Sequence, residues 1–211
     1  MNIVFIAVSA VICYLFGSVS SSILVGRCFG LKDIRKHGSG NAGTTNALRV
    51  LGKKAAVLTL LGDVLKTIVA VLIAEFMAKQ FISDAYFSQL SVYISCFCTA
   101  LGHNYPIFFK FRGGKGVLTS AVIIIMISPV IGTTTVVCAL AVMAFTRYVS
   151  LGSMTGGVVY PLWIILYYTT DITKIIFSVA LGAMLIIKHS SNIKRLLCGT
   201  ENKLGAKKEQ N

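Results

Sequence analysis

The stretch Ala55–Ala78, A-A-V-L-T-L-L-G-D-V-L-K-T-I-V-A-V-L-I-A-E-F-M-A, decides what kind of chain this is. A helix rises 1.5 Å per residue, so about 20 apolar residues cross the hydrocarbon core of a bilayer, and this run is long enough. Asp63 and Lys66 interrupt it three residues apart, on one helical face, where they are placed to pair. Ionisable groups inside a membrane segment are costly and point to function. A structural ion pair accounts for these two equally well, and we assign them structural support.

Working outward, further apolar runs lie at about Ile3–Val25, Tyr86–Leu101, Val117–Ile127, Val130–Phe145, Met154–Thr169 and Ile172–Ile187. Only Ile3–Val25 matches Ala55–Ala78 in length. The shorter runs must draw on flanking residues, sit where the bilayer is thin, or be partly re-entrant. Ser128–Pro129 divides two of them, because proline disfavours helix in the residue before it. The first run lacks a basic leader region and exceeds signal-peptide length, so it reads as a retained helix. The expected fold is an all-α integral membrane protein of about seven transmembrane helices, or five if two short runs pair as a re-entrant hairpin. Residues 1–204 form one polytopic domain, followed by a short polar C-terminal tail, 205–211.

Composition agrees. The chain is 55% hydrophobic and only 13% charged, about half the ~25% of globular proteins, which excludes an ordinary soluble domain. Its net charge of +13 reports topology before partners. Arg27, Lys32, Arg35, Lys36, Arg49, Lys53 and Lys54 separate the first two runs. Lys110, Arg112, Lys115, Arg147 and the basic residues from Lys188 onward fall on the same face, against Lys79 and Lys174 on the other. The positive-inside rule then puts the N-terminus outside and the C-terminus in the cytoplasm. No nucleic-acid-binding signature is present. The six cysteines carry no redox or zinc spacing and read as small buried hydrophobes.

Two polar, glycine-rich stretches stand out on the cytoplasmic face. In Ser39–Arg49, S-G-N-A-G-T-T-N-A-L-R, Gly40 and Gly43 let backbone N–H groups turn toward an anion. Ser39, Asn41, Thr44, Thr45 and Asn46 add neutral donors, and Arg49 adds a two-pronged cation. In Phe111–Val117, F-R-G-G-K-G-V, Arg112 and Lys115 flank Gly113, Gly114 and Gly116. Each stretch alone reads as well as a tight turn with basic flanks facing anionic lipid. Together they favour two phosphate cradles, for two phosphorylated substrates or one held from both ends.

Other polar residues sit nearby. His103 and Asn104, in G-H-N-Y-P, are interfacial helix-end residues or part of the site. Ser150 and Ser153 are phosphate donors or helix caps. His189 and Asn192 lie three apart, so a helical turn aims both at one point, and Glu201 is a rare acid suited to orienting a cation or imidazole.

Missing features narrow the chemistry. The face's carboxylates (Asp33, Asp63, Glu201, Glu209) are dispersed, which disfavours two-metal phosphoryl chemistry. The residues five beyond the histidines are Ala42, Phe108 and Lys194, so no H-x-x-x-x-D dyad exists, and no G-x-S-x-G elbow is visible. A transferase here must work by positioning and charge stabilisation on an activated substrate. An organic-phosphate transporter and a scaffold whose basic face binds anionic lipid share the basic loops and helices. The transporter is disfavoured because polar groups gather at one face rather than the midplane.

These motifs resemble the bacterial membrane acyl-phosphate:glycerol-3-phosphate acyltransferase family. The matching pieces are Gly38–Lys54, Leu58–Lys66, Gly102–Val117, Ser150–Ser153 and Lys188–Glu201, in order through nearly the whole chain. Two positions depart from the family pattern, Ser20 in place of proline and Thr67 in place of glycine, both expected in helices away from the loops. The resemblance implies seven transmembrane helices, a multi-pass location in the bacterial cytoplasmic (inner) membrane and a site on its cytoplasmic face. It implies transfer of a fatty acyl group from acyl phosphate to glycerol 3-phosphate, giving lysophosphatidic acid and phosphate, without cofactor or metal. Ser39, Arg49, Lys115, Ser150, His189 and Asn192 would be catalytic. Gly40, Asn41, Gly43, Thr45, Asn46, His103, Asn104, Gly113, Gly114, Gly116 and Ser153 would bind substrate. Asp63, Lys66 and Glu201 would give structural support. The implied partners are both substrates, the lipid bilayer and an upstream enzyme that forms acyl phosphate.

Overall fold

The computed structural model describes residues 2–168 and 170–205; all of the expected tail except Gly205 lies outside them. Ten α-helices and two short 3-10 turns are formed among the described residues. Backbone contacts gather them into two compact units that meet in the chain at Met126–Ile127, where the sequence reads as one domain.

In the first unit, α1 (Asn2–Ser18) and α2 (Ser21–Cys28) replace the single run expected at Ile3–Val25. A 3-10 turn at Ile34–Lys36 leads to α3 (Thr44–Leu51), so Arg49 sits on a helix rather than in a loop. Then come α4 (Lys53–Phe81), α5 (Ala85–Asn104), a 3-10 turn at Ile107–Phe109 and α6 (Val117–Ile127). α1, α4 and α5 pack on one another, and α2 and α3 pack on α4.

α4 shows why the packing holds. Thr59, Asp63, Lys66, Thr67, Ala70, Ala74 and Ala78 recur at helical spacing and are buried, whereas Leu61, Leu65 and Phe76 on the same helix are 55–63% exposed. The inward stripe is small and polar; the outward one is large and apolar. That is the arrangement lipid demands, where close backbone approach and hydrogen bonds drive association. α1 and α5 approach so closely that a Cβ at Gly17 would strike the Thr99 carbonyl, and one at Gly102 the Tyr14 carbonyl. Ser9 and Ser95 share a hydrogen bond of 2.8 Å across that seam.

The interruption between α1 and α2 is held by an ion pair on α4. Ser20, extended at φ −95°, caps α2, so this departure from the family pattern lies in a helix break rather than in a helix. The carbonyls that the break releases are taken up by Lys66, whose Nζ donates to Val19 O at 2.6 Å and Gly17 O at 3.2 Å. The same ammonium lies 2.9 Å from Asp63 Oδ1, which also accepts from Ser21 Oγ at 2.9 Å. Thr67, the other departure, donates its hydroxyl to the Asp63 carbonyl at 2.7 Å.

In the second unit, α7 (Pro129–Thr146), α8 (Val149–Tyr167), α9 (Ile172–Lys188) and α10 (Ser190–Leu197) pack in sequence order. Pro129 occupies the first turn of α7, where its missing N–H costs nothing. A Cβ at Gly182 would strike the Gly157 carbonyl, so α8 and α9 touch backbone to backbone.

Among the described residues, four stretches are long and apolar enough to cross a membrane: Asn2–Cys28, Lys53–Phe81, Pro129–Thr146 and Val149–Tyr167. The α9–α10 pair, bent by 57°, brings the number to five if it counts as one span. α6 is a shorter apolar helix of 11 residues, too short by itself for a ~30 Å core at 1.5 Å per residue.

Removing one partner of the α4 ion pair should be more harmful than removing both. Lys66→Met is expected to cost about 3–5 kcal/mol, because it strands a buried carboxylate. Asp63→Leu combined with Lys66→Met should recover part of that loss. Reversible unfolding in mixed micelles measures both.

Candidate active site

Asn46 organises the first glycine stretch. Its Oδ1 accepts from Ser39 N at 2.9 Å and Ser39 Oγ at 3.1 Å, and its Nδ2 donates to His37 O at 3.1 Å and Ile34 O at 3.4 Å. The amide is therefore spent on shaping the loop. Gly38 and Gly40 have φ of 63° and 72°, and a Cβ at Gly38 would run into Asn46. Beneath the loop, Ile34, Ala42 and Ala47 form a buried cluster with Ile23. Ser39, Gly40, Thr45 and Arg49 are exposed above it, and Asn41 and Gly43 are half-buried.

The second glycine stretch is folded onto the end of α5. Gly113 N donates to Asn104 O at 3.2 Å and Gly114 N to His103 O at 3.1 Å. A Cβ at Gly114 would collide with the His103 ring and stand 2.6 Å from Ala42 O. Gly116, at φ 75°, leaves no room beside Asn104 Oδ1. The two stretches therefore touch, at Ala42 against Gly114. His103 Nδ1 lies 3.0 Å from Lys66 Nζ, so the ion pair that closes the α1–α2 break also backs this loop.

A residue that motif reading left unassigned joins the two stretches. Arg35 Nη1 donates to Phe109 O at 2.7 Å and Arg112 O at 2.6 Å. Its Nε and Nη2 are held by Asp33, the closest contact being 2.7 Å. Between those carbonyls, Lys110 and Phe111 both have left-handed backbones, at φ 58° and 56°. Such a conformation costs roughly 1–2 kcal/mol for each residue bearing a Cβ. The hydrogen bonds from Arg35 hold Asp33 below the usual carboxylate range and raise Arg35 in return.

The second unit gathers Ser150, Asn192, Arg195 and Glu201. Ser150 Oγ and Asn192 Nδ2 both donate to Glu201 Oε1, at 2.8 and 2.7 Å, and Arg195 Nε donates to Oε2 at 2.7 Å. Glu201 thus orients a cation, an amide and a hydroxyl, and ties residues after α10 to the first turn of α8. Leu204 N donating to Arg147 O at 2.7 Å extends that tie. α8 begins five residues earlier than expected, so Ser150 and Ser153 lie inside it and neither is its cap. Ser153 Oγ donates back to Val149 O at 2.8 Å. His189 is 2% exposed at the bend between α9 and α10, and its Nδ1 donates to Leu185 O at 2.8 Å. Burial opposes ionisation of Glu201, but the hydrogen bonds from Asn192, Ser150 and Arg195 prevail and hold it below the ordinary glutamate value.

Such features define a polytopic helical membrane protein with two cationic, glycine-bordered loops in contact. The family described as glycerol-3-phosphate acyltransferase matches residues 7–199. The glycerol-3-phosphate acyltransferase of Clostridioides difficile (strain 630) is 44% identical over 209 residues, covering 99% of this chain and 100% of its own. That of Thermoanaerobacter pseudethanolicus is 43% identical over 202 residues, 95% of this chain and 96% of its own. Among solved structures, PlsY, an integral membrane glycerol 3-phosphate acyltransferase, is similar in its glycerol 3-phosphate form. The TM-score is 0.84 at 34% identity, with 95% of this chain and 96% of that one covered. Its lysophosphatidic acid form gives a TM-score of 0.82 at 32% identity, with 95% of each chain covered. The chain belongs to the glycerol-3-phosphate acyltransferase family.

Two outcomes test this geometry. Gly114→Ala should displace the second loop, because its Cβ has nowhere to go between His103 and Ala42; loss of phosphate-ligand binding at preserved folding, read by calorimetry, checks it. Glu201 has a depressed folded-state pKa, so its contribution is present above the ordinary value of 4.5 and lost as pH falls through the lower folded value. Glu201→Gln should flatten the acid limb of a stability–pH curve.

Proposed function

We propose that this protein transfers a fatty acyl group from acyl phosphate to the 1-hydroxyl of glycerol 3-phosphate, giving lysophosphatidic acid and inorganic phosphate. The observation that carries this reading is the contact of two glycine-bordered cationic loops at Ala42 and Gly114, which suits two phosphorylated reactants. Family membership and the likeness to the glycerol 3-phosphate form of PlsY support it.

The glycerol 1-oxygen attacks the acyl carbonyl, the carbonyl carbon–oxygen bond to phosphate breaks, and phosphate leaves. Acyl phosphate is a mixed anhydride with a good leaving group, so a weak base suffices. A phosphate oxygen of the donor takes the hydroxyl proton. No metal is required, since charge on the two phosphates is met by Arg49 and Lys115. Each charge-assisted hydrogen bond contributes roughly 1.5–3 kcal/mol. Ser39, Asn41 and Thr45, with the glycines Gly40, Gly43, Gly113, Gly114 and Gly116, line the cradles. Asn46, His103 and Asn104 shape them from beneath. Ser150, Ser153, His189 and Asn192 are proposed as the functional polar residues of the second unit taken by itself, with Glu201 holding Ser150 and Asn192. In this reading the chain crosses the bacterial inner membrane about seven times, counting helices beyond the four or five that are long and apolar enough by themselves, with the N-terminus outside and this chemistry on the cytoplasmic face. An enzyme that makes acyl phosphate acts upstream.

Purified protein in lipid, given glycerol 3-phosphate with acyl phosphate or acyl-coenzyme A, should form lysophosphatidic acid from the phosphate donor. Arg49→Ala and Lys115→Ala should abolish turnover while the protein still folds and inserts. Use of the thioester alone, near-full activity in either mutant, or labelled glycerol 3-phosphate accumulating in vesicles without lipid product would each overturn the assignment.

A further inference from the structure

We propose that Arg35 is a positioning residue that holds the strained turn Phe109–Arg112 closed and so sets where Lys115 is presented. The proposal rests on the reading of Lys115 as a phosphate-binding cation.

Three independent features converge on this role. First, the turn contains two consecutive non-glycine residues with left-handed backbones, Lys110 and Phe111, and left alone it would relax. Second, one nitrogen of Arg35 donates to the carbonyls on either side of that pair, Phe109 O at 2.7 Å and Arg112 O at 2.6 Å, so the guanidinium bridges the turn's two ends. Third, the guanidinium cannot swing away. Asp33 grips its other edge through three contacts of 2.7–3.1 Å, and the backbone of Arg35 is fixed by Arg35 N donating to the same carboxylate at 3.0 Å. Ile34, adjacent and fully buried, anchors this arm in the cluster beneath the first glycine loop.

Gly113, Gly114 and Lys115 follow the turn directly. Relaxation at Lys110 and Phe111 would pull on the Gly113 and Gly114 hydrogen bonds to Asn104 and His103. It would carry the Lys115 backbone with them. Exposed Arg35 contacts with solvent are not what the geometry offers; each donor nitrogen is directed at Asp33 or at the turn. Lysine cannot replace this planar fork, because one point charge reaches the carboxylate or the carbonyls but does not span both.

The experiment uses the full chain in lipid. Arg35→Lys keeps the charge and the number of trypsin sites. It should raise KM for glycerol 3-phosphate or acyl phosphate by roughly tenfold or more with a smaller change in kcat, and leave thermal unfolding cooperative. It should also speed trypsin cleavage at Lys110 and Arg112. Adding Lys110→Gly and Phe111→Gly, which removes the cost of the left-handed backbone, should restore most of the lost KM. A purely structural Arg35 would not be rescued by glycine at the turn. Unchanged KM and unchanged cleavage in Arg35→Lys overturn the proposal, as does a raised KM that the glycine pair fails to lower. If wild-type protein shows no acyl transfer, the functional reading fails, while the cleavage comparison still decides the clamp.

Discussion

The Asp63–Lys66 pair inside α4 is the constraint on which the first unit depends. A helix that crosses lipid with two opposite charges must neutralise them internally, since no water is available to do so. Here the neutralisation does more than cancel charge. Lys66 supplies N–H donors to the carbonyls freed where α1 ends, Asp63 takes the Ser21 hydroxyl where α2 begins, and His103 Nδ1 lies 3.0 Å from Lys66 Nζ behind the second glycine loop. One pair therefore holds the break between α1 and α2 and backs the second glycine loop. Its net contribution to stability is smaller than its contribution to shape, because desolvating both ions offsets much of their attraction.

The two units solve the same problem with different means. In the first, glycines bring loop backbones together and side-chain amides and guanidinium groups hold them. In the second, a single carboxylate gathers a hydroxyl, an amide and a cation, pinning the chain after α10 to α8. Both arrangements leave polar groups pre-oriented before any ligand arrives. Preorganisation of this kind is what charge-stabilising catalysis needs, since donors that must reorganise during reaction lose much of their advantage.

Much of this was legible from residue order. Runs such as Val117–Ile127 and Ile172–Ile187 coincide with α6 and α9 within a residue, because apolar length is a direct consequence of the bilayer. The glycine-rich motifs marked both loops, and the i, i+3 spacing marked the ion pair. Less visible were the break at Val19–Ser20, the helical character of Thr44–Leu51 and the early start of α8 at Val149. Serine at position 20 carries no breaking signal of its own, and the side chains that satisfy the break, Asp63 and Lys66, lie far along the chain. Arg35 was likewise one cation among several in a basic segment, and only its reach to Phe109 and Arg112 distinguishes it.

Residue order alone thus determined an all-helical membrane protein, its cationic loops and its family, since hydropathy, charge asymmetry and long local motifs need no third dimension. Tertiary structure decided which polar residues hold the loops and which are displayed by them. Asn46, Arg35 and Glu201 are chemically no different from their neighbours in sequence. Their roles follow from long-range hydrogen bonds, whose geometry is set only once separate helices are packed.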